Sequence, residues 1–250
     1  IRVIAQVKES RARQRMIAED PAFVSHFGDG TELRRGRPQG KPTGTIGLTE
    51  FETKMLLKPY GVPCPEEHLV QSPEEALALL DNGTLRFPLV LKLQSSRVMH
   101  KSDVGGVLLN IDSREALRAG VAELLQLGGK LQVPVDGVLV QRMVEFDQEL
   151  IVGIDRDPVW GPVLTVGRGG VFVEVLKDVR SVGLPVSANY ILNQLMRLKS
   201  SSLFQGYRGK KPVDLSRLAG VIEGVCRCYL DHREQIYNLE INPLAIDSRT

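Results

Sequence analysis

Lys92 lies in the run Phe87-Pro88-Leu89-Val90-Leu91-Lys92-Leu93, where an ammonium group among apolar neighbours is costly to desolvate unless an anion meets it. A phosphate is one such anion. Placement at the solvent face of a strand is the other solution, and alternation with Val90 is compatible with it. Shortly after comes His100-Lys101-Ser102-Asp103-Val104-Gly105-Gly106. Lys101 and Ser102 supply donors, and the glycine pair Gly105-Gly106 lets backbone amides approach an oxyanion closely. A neutral imidazole nitrogen such as that of His100 is a competent nucleophile toward a phosphoryl group, although a lone histidine more commonly serves as a hydrogen-bonding residue. Residue chemistry leaves both roles open.

Three further groups carry weaker signals. Glu149 starts a strand-like run just after the turn-like Glu145-Phe146-Asp147, a position that suits a ribose hydroxyl or simply a solvated rim. Gly167 to Gly170, followed by Glu174, reads as a tight hairpin. Near the C-terminus, Glu240 and Asn242 in Leu239-Glu240-Ile241-Asn242-Pro243 share one face of an extended segment, because side chains alternate with period two. Two oxygen ligands there can serve one cation, and oxygen ligands with retained water suit magnesium held against phosphates.

The elements that must position these residues are legible in caps and periods. Thr49 with Glu52 is a capping-box pattern ahead of a helix to about Lys58. Ser72 with Pro73 and Glu75 opens a second helix through Leu80, and Asp112 with Glu115 a third through about Leu125. Further helices are expected at about 188–199 and 215–229. Strands are expected at 87–93, 106–110, 137–143, 149–154, 162–166, 171–176 and 235–239. The short connectors Asp155-Arg156-Asp157-Pro158 and Gly167 to Gly170 make the strands at 149–176 antiparallel neighbours. The fold class is therefore mixed α/β with antiparallel sheet and flanking helices. Residues 1–44 are rich in basic residues, with a possible short helix at 8–19, and residues 34–47 are dense in Gly, Pro and Thr. Together they read as the tail of a preceding domain or a linker arm.

Composition narrows the classes. Of 250 residues, 42% are hydrophobic, enough for a substantial core, and 32 basic against 30 acidic residues leave a formal charge of +2. That balance gives no basis for a nucleic-acid partner. The three cysteines, Cys64, Cys226 and Cys228, form no disulfide framework and no second ligand pair, so packing on a helix is expected for the latter two, in a reducing compartment. No apolar run reaches bilayer length and no signal pattern opens the chain, so no membrane partner and a cytoplasmic address are expected.

From about Leu48 to Asp247 the chain resembles the ATP-grasp β part of ADP-forming acyl-CoA synthetases, relatives of succinyl-CoA synthetase. The likeness rests on Leu48-Thr49-Glu50, Tyr60-Gly61-Val62-Pro63, Leu89-Val90-Leu91-Lys92, HKSDVGGV at 100–107, Glu149-Leu150-Ile151-Val152-Gly153, Gly169-Gly170-Val171-Phe172-Val173-Glu174, Gly206-Tyr207-Arg208-Gly209 and Glu240-Ile241-Asn242-Pro243, in that order. It implies an ATP-grasp fold of two subdomains over 45–250, with a lid-like subdomain at about 65–136 and the other formed by 45–64 and 137–250.

The resemblance also implies a reaction: acid, CoA and ATP interconverting with acyl-CoA, ADP and phosphate through phosphohistidine, with ATP/ADP and Mg2+ as cofactors. His100 is implied to receive the phosphoryl group and Glu240 to support that chemistry. Lys92, Lys101, Ser102, Gly105 and Gly106 would hold phosphates, Gln141, Arg142, Met143 and Val144 would form the adenine hinge, and Glu149 would meet the ribose. Asn242 and Glu240 would hold magnesium. The implied partner is a CoA-binding α subunit or domain in an oligomeric assembly, without which the chain does not complete the reaction. Two alternatives share the signals: a non-catalytic regulatory domain of a protein acetyltransferase, and another ATP-grasp carboxylate ligase.

Overall fold

The computed structural model describes residues 3–7 as backbone, and residues 48–98, 101–169, 178–206 and 211–247. They belong to two units: Gly47–Lys54 with Cys64–Glu145, and Ile1–Ile46 with Met55–Pro63 and Phe146–Thr250. His100, the strand expected at 171–176, Glu174, Tyr207-Arg208-Gly209 and the helix expected at 8–19 lie outside the described residues.

The first unit contains the start of α1 (Glu50–Leu57), then β2 (Glu67–Val70), α2 (Pro73–Asp81), β3 (Leu89–Gln94), β4 (Val107–Ile111), α3 (Arg114–Lys130) and β5 (Gly137–Arg142). α1 opens on the expected capping box. The Thr49 hydroxyl accepts from the Glu52 amide at 3.2 Å, and the Glu52 carboxylate accepts from the Thr49 amide at 2.7 Å. α2 is capped by Ser72, which accepts from the Glu75 amide at 3.2 Å, with Pro73 where no amide bond is needed.

α3 departs from expectation at both ends. Ser113 rather than Asp112 is the cap, accepting from the Ala116 amide, and the helix runs on to Lys130. Gly128 does not end it, because that glycine serves packing: a Cβ there would stand 1.9 Å from Val135.

The four strands form an antiparallel sheet in the order β2-β5-β3-β4. Leu89, Leu91 and Leu93 of β3 join Val138 and Val140 of β5 in the core with Leu117, Val121 and Leu124 of α3. Period-two alternation then sends Val90, Lys92 and Gln94 to the other face, where Gln141 opposes Val90 and Glu67 opposes Gln141 across the ladders. That face is buried too. The first turns of α1 lie against it, with the Phe51 amide donating to Gln94 at 3.3 Å and Lys54 reaching Glu67 and Gln141.

The second unit holds β1 (Val3–Val7), the end of α1 with its 3₁₀ turn Lys58–Tyr60, β6 (Gln148–Asp157), β7 (Gly161–Arg168), β8 (Val179–Gly183), α4 (Ala188–Met196), α5 (Leu215–Asp231) and β9 (Ile236–Ile246). Its strands form a five-stranded antiparallel sheet in the order β1-β9-β6-β7-β8. The strands β1, β2 and β8 were not expected from the sequence, and β9 extends seven residues beyond the expected end at Leu239.

β9 keeps going by changing phase. Val152 pairs with Ile241 but Leu150 pairs with Leu244, so Asn242 and Pro243 together oppose Ile151 in a β-bulge. Buried positions run Leu239, Ile241, then Leu244, Ile246, with the bulge absorbing the extra residue. Proline is tolerated at such a position because a bulge leaves an amide unpaired.

α5 buries Leu218, Ile222, Val225, Cys226 and Tyr229, and packs on α4. Gly224 passes so close to the turn ending α1 that a Cβ would stand 2.4 Å from the Tyr60 carbonyl. Burial pushes the Cys226 thiol well above the ordinary range and the Cys228 thiol up to about 12, which makes both inert packing residues, as expected. No helix among the described residues is long and apolar enough to cross a membrane.

Candidate functional site

Lys92 leaves the middle of β3 on the face covered by α1, and its ammonium is 2.7 Å from Glu50 Oε1 and 2.9 Å from Gln141 Oε1. The same Glu50 oxygen lies 2.7 Å from Lys54 Nζ, one helical turn along α1. Lys54 also donates to Glu67 Oε2 at 2.6 Å and to Gln141 at 3.3 Å. Lys101, entering the glycine loop, brings its ammonium 3.8 Å from Glu50 Oε2. Two carboxylates are thus set among three lysines, and the formal balance leaves one positive charge in excess.

The electrostatics follow from that geometry. Burial pushes the Glu50 carboxyl up, but the positive charges around it, Lys92 and Lys54 foremost, outweigh it and hold the group at about 2 against an ordinary 4.5. For Lys54, burial works against the charge, and Glu50 and Glu67 overcome it and raise the ammonium above its ordinary 10.5. Glu67 Oε1 is buried and accepts no hydrogen bond among the described residues.

The loop after Lys101 is built on its glycines. Ser102–Val104 make one 3₁₀ turn that ends at Gly105, whose φ of 74° is the left-handed conformation glycine adopts without strain. The Gly106 amide donates to the Lys101 carbonyl at 2.7 Å and its carbonyl accepts from the Leu93 amide at 2.9 Å, tying the loop to β3. The amides of Gly105 and Gly106 therefore close the turn, and the side chains of Lys101 and the exposed Ser102 are among the donors this loop can offer an anion.

At the end of β5, Gln141 points into the charge cluster while the next two amides are spent locally, Arg142 on the Glu66 carbonyl at 2.9 Å and Met143 on the Pro88 carbonyl at 3.0 Å. These bonds stiffen the strand's exit toward the exposed Val144.

The second unit brings together the other sequence-derived residues. Glu149 on β6 and Glu240 and Asn242 on β9 lie on the same face of the β6–β9 pair, opposite the face that buries Leu150, Val152, Leu239 and Ile241. Asn242 Nδ2 donates to Glu240 Oε1 at 3.3 Å, which leaves the amide oxygen and the second carboxylate oxygen to serve a ligand. Two hard oxygens fit a Mg2+ ion that retains water and phosphate oxygens. Among the described residues no group of three or more His, Cys, Asp and Glu is placed to hold a metal alone. The Gly169 amide donates to the Glu149 carbonyl at 2.9 Å.

Glu50, Lys54 and Glu67 are the residues sequence reasoning missed. The i,i+4 pair Glu50–Lys54 looks like an ordinary solvent-side pair, yet Lys54 is 1% exposed while Met55 beside it is 51% exposed. Helical periodicity assigns those two the opposite way. The usable signal was the pairing of an i,i+4 acid and base with a strand lysine, and it needs the tertiary contact to be seen.

Comparison with known proteins identifies the family of the chain. Residues 41–250 match the ATP-grasp domain family. The chain is 37% identical over 227 residues to the β subunit of the ADP-forming acetate–CoA ligase I of Pyrococcus furiosus, covering 87% of this chain and 94% of that one. It superposes with a TM-score of 0.76 and 34% identity on the dinucleotide-forming acetyl-coenzyme A synthetase 1 of Ca. Korarchaeum cryptofilum in complex with coenzyme A, Ca-AMPCP and HgCl+, covering 82% of this chain and 89% of that one. A second structure of that enzyme, with coenzyme A and Mg-AMPPCP and its phosphohistidine segment pointing towards the nucleotide-binding site, gives a TM-score of 0.68 at 33% identity, covering 80% and 86%. With two antiparallel sheets, flanking helices and relatives of this similarity and coverage, the chain belongs to the ATP-grasp family, among the β components of ADP-forming acetate–CoA ligases.

Proposed function

We propose that this chain is the ATP/ADP-binding part of an ADP-forming acyl-CoA synthetase, an acid–thiol ligase in which phosphate passes between a histidine and the nucleotide. The observation that carries the reading is the lysine pair Lys92 and Lys101, held at one buried carboxylate beside a glycine turn. Positive charge fixed in a water-poor setting is what a polyphosphate requires, and phosphoryl transfer is accelerated chiefly by positioning and charge neutralisation. Lys101 adjoins His100 in sequence, which supports giving that imidazole the phosphoryl-carrying role.

In this reading His100 accepts the phosphoryl group on a ring nitrogen as the P–N bond to a phosphorylated histidine of the α part breaks. The P–N bond to His100 then breaks as an oxygen of the nucleoside diphosphate forms the new P–O bond. Lys92, Lys101 and Ser102 hold the phosphates, the segment Gln141, Arg142, Met143 and Val144 borders the base, and Glu149 takes the ribose. Asn242 and Glu240 hold Mg2+, whose chemistry when bound is to neutralise phosphate charge. A CoA-binding α subunit or domain supplies the acyl half of the reaction.

The test is nucleotide-dependent thermal stabilisation with ADP and GDP. A ligand present at about a hundred times its dissociation constant adds about 2.7 kcal/mol to the folded state. The wild-type protein should gain several degrees with at least one nucleotide, and Lys92→Ala should lose that gain. Absence of a shift with either nucleotide would overturn the reading.

A further inference from the structure

Glu50 is not assigned a role by anything in the preceding reading, yet it is the point at which the lysines meet. Its Oε1 is 2.7 Å from Lys92 and its Oε2 is 3.8 Å from Lys101, while Lys54 at 2.7 Å locks the carboxylate from its own helix. Glu67, 2.6 Å from Lys54 on its other side, holds that lysine in turn, and Gln141 bridges Lys54 and Lys92. The Glu50 side chain is 3% exposed and the Lys54 side chain 1%. Neither can leave for solvent without breaking a buried charge pair.

The spacing has a purpose if the lysines serve phosphate. Each ammonium has three donors, and the contacts with Glu50 and Gln141 occupy two of those on Lys92 and fix the direction of its ammonium. Two lysines without a central anion repel one another and adopt separate rotamers, and each would pay side-chain entropy on closing around a ligand. A carboxylate fixed from behind by Lys54 removes that cost before the ligand arrives.

We propose that Glu50 is a positioning residue for nucleotide phosphates, preorganising Lys92 and Lys101 into one clamp, with Lys54 and Glu67 as its fixed support. The proposal rests on the nucleotide-binding reading above. It predicts that Glu50 acts on phosphate-bearing ligands, because its own carboxylate contacts are with the lysines.

The experiment compares dissociation constants of ADP by calorimetry, and of adenosine by displacement, for wild type, Glu50→Gln and Glu50→Asp. Melting curves identify the folded variants. Glu50→Gln removes the anion, and ADP affinity should fall about tenfold, the scale of one charge-assisted contact, with adenosine affinity unchanged. Glu50→Asp keeps the charge but draws it back by one methylene, and should give a smaller, equally phosphate-specific loss. If Glu50→Gln does not fold, Glu50→Asp alone decides.

Equal loss for ADP and adenosine would show a merely structural role and overturn the proposal. So would unchanged or tighter ADP binding, the result expected if net positive charge alone governed affinity. A wild-type protein that binds neither ADP nor GDP would overturn the functional reading itself, an outcome separate from any behaviour of the Glu50 variants.

Discussion

Glu50 Oε1 and Lys92 Nζ stand 2.7 Å apart on the covered face of the smaller sheet, joined across a helix and a strand that are 42 residues apart in sequence. The pair makes stability depend on acid. The Glu50 carboxyl is held at about 2 in the folded chain against an ordinary 4.5. A depressed carboxyl contributes stability that is present above the ordinary value and lost as pH falls through the folded one. Wild-type stability should therefore drop between about pH 4.5 and 2 by on the order of 3 kcal/mol from this group. Glu50→Gln should be less stable at pH 7 and show a flatter profile in that window, as urea titrations at several pH values would reveal. A parallel profile for the two proteins would refute the assignment.

Lys54 is the support behind that pair. Lys54→Met fills the volume but leaves Glu50 with Lys92 and the more distant Lys101, and takes from Glu67 the cation it pairs with. A loss of about 3–5 kcal/mol is expected on chemical unfolding, since removing one partner leaves an uncompensated buried charge. A loss under about 1 kcal/mol would mean the cluster is wetter than its burial indicates.

Gly105 carries a φ of 74° with open space where a Cβ would go, so substitution there costs backbone strain and nothing else. Gly105→Ala should destabilise by about 1–2 kcal/mol. Nucleotide affinity should fall only through the position of Lys101. Unfolding and ADP titrations on one sample separate the two effects.

Asn242 is assigned to magnesium by the proposed function. Asn242→Ala should raise the Mg2+ concentration needed for half-maximal phosphoryl transfer about tenfold while leaving metal-free ADP stabilisation as in wild type. An unaltered Mg2+ dependence would remove Asn242 from the metal site.

His100 is testable by the chemistry of its product. With the α part, acyl-CoA and labelled phosphate supplied, the wild-type chain should take up an acid-labile, base-stable label, and His100→Ala should take up none. Persistence of the label in that variant would place the carrier elsewhere.

The sequence disclosed what local rules govern. Caps at Thr49 and Ser72 and the apolar stripe of α5 are set within a few residues, so those helices were legible, and turn chemistry gave the β6–β7 hairpin. Strands β2 and β8 are short and half polar, and their place in a sheet depends on partners far along the chain. The site divided the same way. Lys92, Lys101, Glu240 and Asn242 announce themselves by type and spacing, whereas Glu50, Lys54 and Glu67 acquire meaning when α1 lies on β3 and β5. A buried ion pair has no period to betray it.

The bulge at Asn242–Pro243 separates two properties that usually travel together in a strand. Because it adds a single residue between two stretches of opposite phase, deleting Pro243 would leave Leu239, Ile241, Leu244 and Ile246 all on the face they already occupy, in one uninterrupted ladder against β6. What would change is the neighbourhood of Glu240 and Asn242. The extra residue is thus a spacer the apolar core does not require, and its removal offers a way to disable the polar pair while the sheet beneath it stays in register.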